Sequence, residues 1–590
     1  MIERLRKARR IAKSAPVVQR SNRRRPQITC PAETVDPVAR EALDMGRARL
    51  MMTGAILTLA FAVVGMRLVD VTLLQAAVEP RVAYAPKPAR LQFARSDILD
   101  RNGVLLATSL PTASLYANPR QVQDADFTAK QLVTVLPELN RAHLVKRLSS
   151  NRGFIWIKRE LTPRQHQDVI GLGLPGVDFR REETRVYPQG RLMAHVLGFV
   201  DVDDKGIAGI ERQFEMELRD QAEPLVLSID MRMQHALCSE LVAAQNEFSA
   251  KGAAGLILDA RTSEVMAMCS LPDFDPNGSK SGRDSSRFNR VAQGVYELGS
   301  AFKIFTTAMA LESGVARLDD RYDATKPLKV SRFTIRDYHA KSRWLSVSEI
   351  FMYSSNIGSA RLAMEVGGKA QRDFLGSIGL LTPSEVELPE VGSPLVPNVW
   401  RKISTMTIGF GHGIAVSPLQ MAAGVAAMVN GGEFRQPSLV KRGPDRVPEG
   451  LRVVSERTSE KIRKLMRLVV EEGTGNRADA PGYLIGGKTG TAEKSGVGGY
   501  RRRALLSSFI GTFPTAEPRY VVFALLDEPK GTKKTHGFAT GGWVAAPIVG
   551  RVVQKIGPIA EIHPYDSELP KIRRDVVINR PLQTGTLASY

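Results

Sequence analysis

The stretch Leu50–Met66, LMMTGAILTLAFAVVGM, runs 17 residues without a charge and is closed at each end by an arginine, Arg49 and Arg67. At about 1.5 Å of rise per residue such a helix is roughly 26 Å long, slightly short of a hydrocarbon core of about 30 Å. The flanking arginines can snorkel, and Leu68, Val69 and Val71 extend the apolar surface. Ahead of it, residues 1–49 carry 13 Lys or Arg against 5 Asp or Glu, including RLRKARR and Arg23–Arg25. Cations crowded before an apolar helix stay on the cytoplasmic side, which predicts a single-pass anchor with the bulk of the chain across the membrane. A buried helix of a soluble protein and a signal peptide cleaved after AFA, Ala60–Ala62, are the competing readings. The cation-rich approach argues against the first. The long preceding segment and the apolar run continuing past Ala62 argue against the second.

The concentration of charge at one end also decides what the formal +21 of the whole chain means. Beyond residue 49 the chain is only mildly basic for its length, few aromatics interleave with the tail, and no nucleic-acid-binding motif accompanies it, so no nucleic-acid partner is expected. Three cysteines, Cys30, Cys238 and Cys269, show no metal spacing, and no metal or cofactor is expected. The last two sit in apolar surroundings, ALCSEL and MAMCSL. They read as small buried hydrophobes, and can pair only if the fold brings them together.

At 590 residues the chain exceeds what one core usually organises. The expected divisions are a basic cytoplasmic tail over 1–49, an anchor and its flank over 50–74, a platform over 75–222, a second domain over 223–556 and a tail over 557–590. VEPRVAYAPKPARLQF reads as an extended stalk, and ARSDILDRNGVLLATSL as a hairpin turning at Asp100–Gly103. After residue 222, strand-like runs at the start (GAAGLILDARTSEVMAMCSL) and at the end (GGKTGTAEK, ALLSSFIGTFP, RYVVFALLDEP) enclose a helical middle from about 300 to 475. That order predicts an α+β fold with an antiparallel sheet assembled from distant sequence and covered by helices.

Three short stretches carry candidate chemistry. In YELGSAFKIF, Ser300 and Lys303 are three apart on a helix expected to run to Gly314 and therefore share a face. The helix is apolar almost all round, so Lys303 is buried, which is costly without partners or a function. Taken alone, the pair equally fits an N-cap serine and a snorkelling lysine. In FMYSSNIGSA, Ser354, Ser355 and Asn356 fall at a helix junction, because Ser346 and Glu349 form a capping box that starts a helix near Val347. Ser and Asn at such a junction are also ordinary turn residues. In IGGKTGTAEK, the glycines around Lys488–Thr491 remove side chains where an extended peptide can pair as an added edge, or simply mark a turn.

Ser-x-x-Lys, Ser-x-Asn and Lys-Thr-Gly in that order are jointly far more specific than any one alone: they are the signature of serine acyl-transferases of the penicillin-binding and β-lactamase group. From Leu50 to about residue 556 the chain resembles a class B penicillin-binding protein of the septal, cell-division type. RSDILDRNGVLLA, RVYPQGRLMAHVLGFV and GIAGIE resemble the platform motifs of that family, with Ser96 where a glycine is usual. FNRVAQGVYELGSAFK, GFGHGIAVSPLQMA and EEGTGNRA are similar to its catalytic stretches, with Leu298 where a proline is common. Neither departure removes a reacting group.

The resemblance implies a single transmembrane helix, an elongated α+β platform of the dimerisation type and a penicillin-binding transpeptidase domain. It implies a peptidoglycan D,D-transpeptidase that cross-links stem peptides through a serine acyl-enzyme and binds β-lactams covalently. Ser300 is then the nucleophile, Lys303 its base, Ser354 a proton relay, and Asn356 the holder of Lys303 and the substrate amide. Lys488, Thr489 and Thr491 attract the terminal carboxylate beside Gly490, and the N–H groups of Ser300 and Thr491 form the oxyanion hole. Lys488 and Thr489 point to opposite faces of a strand, so both serve one cleft only if that strand is an edge. The implied setting is the inner membrane at the division septum, with the N-terminus cytoplasmic and the catalytic domain periplasmic. Implied partners are a membrane-embedded glycan polymerase and other division proteins, since no segment resembles a glycosyltransferase. Alternatives are an elongation-specific transpeptidase, a carboxypeptidase or β-lactamase-type hydrolase, and a non-catalytic scaffold or β-lactam sensor.

Overall fold

A computed structural model of the chain describes residues 37–69, 95–278, 285–330, 333–496 and 499–566. Most of the basic tail, the stalk and the C-terminal tail lie outside the described residues, as does Cys30. Helix α1, Pro37–Val69, forms a unit by itself. Its membrane-length part runs over Ala48–Val69, 22 residues rather than the 17 between the arginines, because it takes in Ala48 and Arg49 ahead of that run and Arg67, Leu68 and Val69 after it. At about 1.5 Å per residue that is roughly 33 Å, enough to span a bilayer core.

Strands β1 (Ile98–Leu99), β2 (Leu105–Ala117), β3 (Ile155–Leu161), β4 (Val177–Val186) and β5 (Leu225–Val226) form the platform sheet. β2 pairs antiparallel with β1, β3 and β4, whereas β5 lies parallel to β1, with Ile98 opposite Leu225 and Leu99 opposite Val226. The Asp100 carboxylate closes the expected hairpin by accepting the N–H groups of Asn102 and Val104, both at 2.8 Å. Its other oxygen accepts Met231 N–H at 3.1 Å.

The three platform stretches picked out in the sequence meet in one buried ion cluster. Glu211 receives Arg95 Nε at 2.6 Å and Arg185 Nε at 2.7 Å, with all three side chains fully buried, and Arg95 also reaches Glu215 at 2.9 Å. Buried charges persist only when paired in this way. Ser96, at the departure from glycine, is accommodated because its hydroxyl donates to the Gln221 carbonyl.

The second sheet is fully antiparallel. Its strands are β6 (Gly252–Asp259), β7 (Val265–Leu271), β8 (Gly486–Gly496), β9 (Gly499–Phe513) and β10 (Tyr520–Asp527), in the order β8-β9-β10-β6-β7. β6, β7 and β10 are buried almost throughout, as strands covered on both faces must be. One face packs on α2 (Met231–Glu247) and on the helix Ala546–Ile559, which extends past the expected domain end at 556. The other packs on the central helices, including α3 (Lys303–Glu312) and Pro418–Val429, in which every residue is buried. The fold brings Cys238 on α2 beside Cys269 on β7, Cα atoms 5.6 Å apart, and the two are disulfide-bonded as well as buried.

Candidate active site

Ser300 does not begin a regular α-helix. Gly299–Phe302 is a 3-10 turn that leads into α3, which ends at Glu312 rather than at Gly314. The turn exists because Gly299 takes φ +54, and a Cβ there would lie 2.6 Å from the Thr491 carbonyl. The Ser300 turn is thus pressed against the edge strand β8. From the other side Gly411 approaches so closely that its Cβ would stand 2.0 Å from the Gly299 carbonyl, at φ +82. Two glycines therefore let three backbone segments converge on Ser300.

The capping box is present: Ser346 Oγ accepts Glu349 N–H, the Glu349 carboxylate accepts Ser346 N–H, and α4 spans Val347–Tyr353. Helix α4 ends at Ser354, held left-handed at φ 61, ψ 43, and Ser355 caps α5, Asn356–Val366. Left-handed backbone in a serine is strained, and here it turns the Ser354 side chain into the cleft.

These elements bring Ser300, Lys303, Ser354, Asn356 and Lys488 together. Lys303 Nζ, fully buried, lies 3.0 Å from Ser300 Oγ, 2.8 Å from Asn356 Oδ1, 3.1 Å from Ser354 Oγ and 2.5 Å from the Ser354 carbonyl. Four oxygens around one nitrogen exceed the three N–H donors of an ammonium. Burial, then the charge of Lys488, push the Lys303 ammonium well below its ordinary 10.5, while Asp337 opposes them. Lys488, also fully buried, is brought by burial to about 7. Its Nζ donates to Ser354 Oγ at 2.9 Å and lies 5.9 Å from the Phe351 ring centroid. Ser354 Oγ thus bridges two lysines.

β8 is the sheet edge, the condition for Lys488 and its threonine neighbours to serve one cleft. Thr489 is nearly buried and Thr491 half-exposed. Lys488, however, is aimed at Ser354 and not outward beside the threonine hydroxyls, because strand alternation places it on the other face. Asn356 Nδ2 donates to the Arg336 carbonyl at 3.0 Å, so its Oδ1 is fixed toward Lys303.

Sequence reasoning missed several contributors. Asp337 accepts Ser355 Oγ at 2.8 Å and Ile357 N–H at 3.0 Å, pinning the Ser-x-Asn segment. His412, half-buried near Lys303, has its imidazole held below the usual range by desolvation and then by that lysine. Asp337 bears no local pattern, and His412 lies in the stretch GFGHGIAVSPLQMA without being singled out there. Chemically, a serine hydroxyl next to a buried amine of lowered proton affinity, relayed to a second lysine at an open strand edge, suits acyl transfer to and from an extended peptide.

Known proteins show the same architecture. The penicillin binding protein transpeptidase domain family matches residues 253–554, and the penicillin-binding protein dimerisation domain matches residues 91–224. The chain is 45% identical over 482 residues to the probable peptidoglycan D,D-transpeptidase FtsI of Caulobacter vibrioides, covering 79% of this chain and 82% of that one. It is 34% identical over 499 residues to the probable transpeptidase PenA of Neisseria meningitidis, covering 78% and 84%. To FtsI of Escherichia coli it is 30% identical over 531 residues, covering 84% and 88%. The crystal structure of penicillin binding protein 3 from Mycobacterium tuberculosis, complexed with aztreonam, shares the fold with a TM-score of 0.64 at 24% identity, covering 83% of this chain and 99% of that one. The chain belongs to the penicillin-binding protein transpeptidase family.

Proposed function

We propose that the protein is a peptidoglycan D,D-transpeptidase of septal wall synthesis, anchored by one transmembrane helix, with Ser300 as nucleophile. The observation that carries this reading is the 3.0 Å approach of Ser300 Oγ to a fully buried Lys303 whose proton affinity is lowered by its surroundings.

Neutral Lys303 takes the hydroxyl proton as Ser300 Oγ bonds to the carbonyl carbon of the penultimate D-Ala. The N–H groups of Ser300 and Thr491 stabilise the oxyanion. As the C–N bond breaks, the proton passes from Lys303 through Ser354 to the leaving D-Ala amine. An amine of a neighbouring stem peptide then attacks the acyl-enzyme in reverse order and forms the cross-link. Asn356 holds Lys303, and the Thr489 and Thr491 hydroxyls receive the terminal carboxylate beside Gly490, with Lys488 contributing charge from beneath. β-Lactams are attacked in the same way.

The relatives named FtsI favour septal over elongation synthesis. On this reading a membrane-embedded glycan polymerase and other division proteins are its partners. Labelled penicillin with peptide mass spectrometry on the wild type and Ser300→Ala tests the reading. A slowly lost adduct on Ser300, absent from the variant, is the expected result. Rapid drug turnover would indicate a hydrolase, and no adduct on folded protein would overturn the catalytic assignment.

A further inference from the structure

The direction of proton transfer fixes where the second strand must enter. On the transpeptidase reading Ser354 passes a proton to the leaving amine, and the incoming amine runs that step backward. Its nitrogen therefore stands near Ser354 Oγ when it attacks, and the strand carrying it crosses the surface beside the end of α4. The segment 336–344, RDYHAKSRW, forms that surface.

The segment is tied to the site along its length. The Arg336 carbonyl accepts Asn356 Nδ2 at 3.0 Å, and the Asp337 carboxylate accepts Ser355 Oγ at 2.8 Å and Ile357 N–H at 3.0 Å. Lys341 Nζ lies 4.5 Å from the centroid of the Tyr353 ring, and Tyr353 is the chain neighbour of Ser354. Arg343 pairs with Glu349 of α4 at 2.7 Å, and Trp344–Ser346 pairs antiparallel with Arg321–Asp323.

Two large rings of this segment nevertheless stand in water, Tyr338 at 75% exposure and Trp344 at 54%. His339 packs edge-on against Tyr338, with ring centroids 4.7 Å apart. Arg336 and Lys341, both exposed, form no ion pair among the described residues, and three Lys or Arg against one Asp leave the segment positive. Exposed rings offer flat apolar faces with a polar rim, which suit the C–H face of a sugar, and unpaired cations beside them suit carboxylates. A glycan strand bearing stem peptides carries both groups.

Resting on the transpeptidase reading, we propose that the segment 336–344 is the docking surface for the acceptor glycan strand, with Tyr338 and Trp344 against its sugar rings and Lys341 against a carboxylate of its stem peptides. Docking holds the attacking amine at the acyl-enzyme at a high effective concentration, so an amine presented on the polymer outcompetes a free peptide.

The test uses the full chain in detergent, acylated by a thioester analogue of the donor peptide. Two acceptors are compared: a tetrasaccharide bearing stem peptides, and the same stem peptide without sugar. Wild type is expected to reach half-maximal transfer at a roughly tenfold lower concentration of the tetrasaccharide, and Tyr338→Ala combined with Lys341→Gln to remove that advantage. Transfer to the free peptide and acylation by benzylpenicillin stay within about twofold, since neither side chain touches Ser300 or Lys303. Added salt erases the share lost in Lys341→Gln alone and leaves that of Tyr338→Ala. Equal use of both acceptors by wild type, an unchanged preference in the double variant, or an equal loss with the free peptide would each overturn the docking surface. A wild type acylated by neither thioester nor benzylpenicillin would instead overturn the transpeptidase reading.

Discussion

Burial of Lys488 lowers the stability of the fold, and replacing it with methionine should remove that cost. Its nitrogen titrates at about 7 in the folded protein against 10.5 ordinarily. The folded state therefore binds fewer protons than the unfolded chain between those values. The resulting penalty is absent above about pH 10.5, grows as pH falls, and is complete below about pH 7. At about 1.36 kcal/mol per pKa unit it amounts to roughly 4 kcal/mol near pH 7. Lys488→Met keeps most of the volume and removes the charge, but gives up the hydrogen bond to Ser354 Oγ, about 1 to 2 kcal/mol. The net gain is roughly 2 kcal/mol, or about 2 to 3 °C in melting temperature at pH 7 for a cooperative unit of this size. Thermal melts of both proteins from pH 6 to 10 provide the assay, and the advantage of the variant should shrink toward pH 10. Acylation by penicillin should meanwhile be lost. A variant that melts lower at pH 7, or an advantage that does not change with pH, would refute the reasoning.

Asn356→Asp places a negative charge 2.8 Å from Lys303 and raises its proton affinity, so the pH at which acylation reaches half its maximum should move upward, read from penicillin acylation rates across pH 6 to 10. Gly411→Ala combines a disfavoured φ with a collision against the Gly299 carbonyl; it should cost roughly 2 kcal/mol or more by urea unfolding and slow acylation at least tenfold. Replacing both Cys238 and Cys269 by serine opens a loop with a sequence separation of 31 and should lower stability by about 3 to 4 kcal/mol, leaving the acylation rate of folded protein nearly unchanged.

The parts of this fold legible in the sequence are those set by local chemistry. The capping box at Ser346 and Glu349 announced α4, because both halves of that motif lie within four residues. The all-apolar surroundings of Lys303 announced its burial. The Asp100–Gly103 turn announced the first hairpin. What depended on distant chain was not legible. Whether β8 was an edge depended on β9, β10, β6 and β7, two of which lie more than 200 residues away. The approach of Lys488 to Ser354 joins residues 134 apart in sequence. Pairing of Cys238 with Cys269 required α2 to lie against β7. Gly299 at positive φ makes the sharp entry a 3-10 turn, so the regular helix begins only at Lys303.

The parallel pairing of β5 with β1 ties the platform to the catalytic region more closely than a linker would. Ile98, Leu106 and Tyr187 of the platform belong to the same continuous core as Phe305, Met421 and Phe523. Only the outer lobe of the platform, around Leu115, Leu132, Leu144 and Ile157, has a core to itself. Cooperative units follow shared cores, so the boundary of opening runs through the middle of the platform and not between platform and catalytic sheet. The amides of the outer lobe can exchange through an opening of their own. Those of β1 and β5 exchange only when the catalytic sheet itself comes apart.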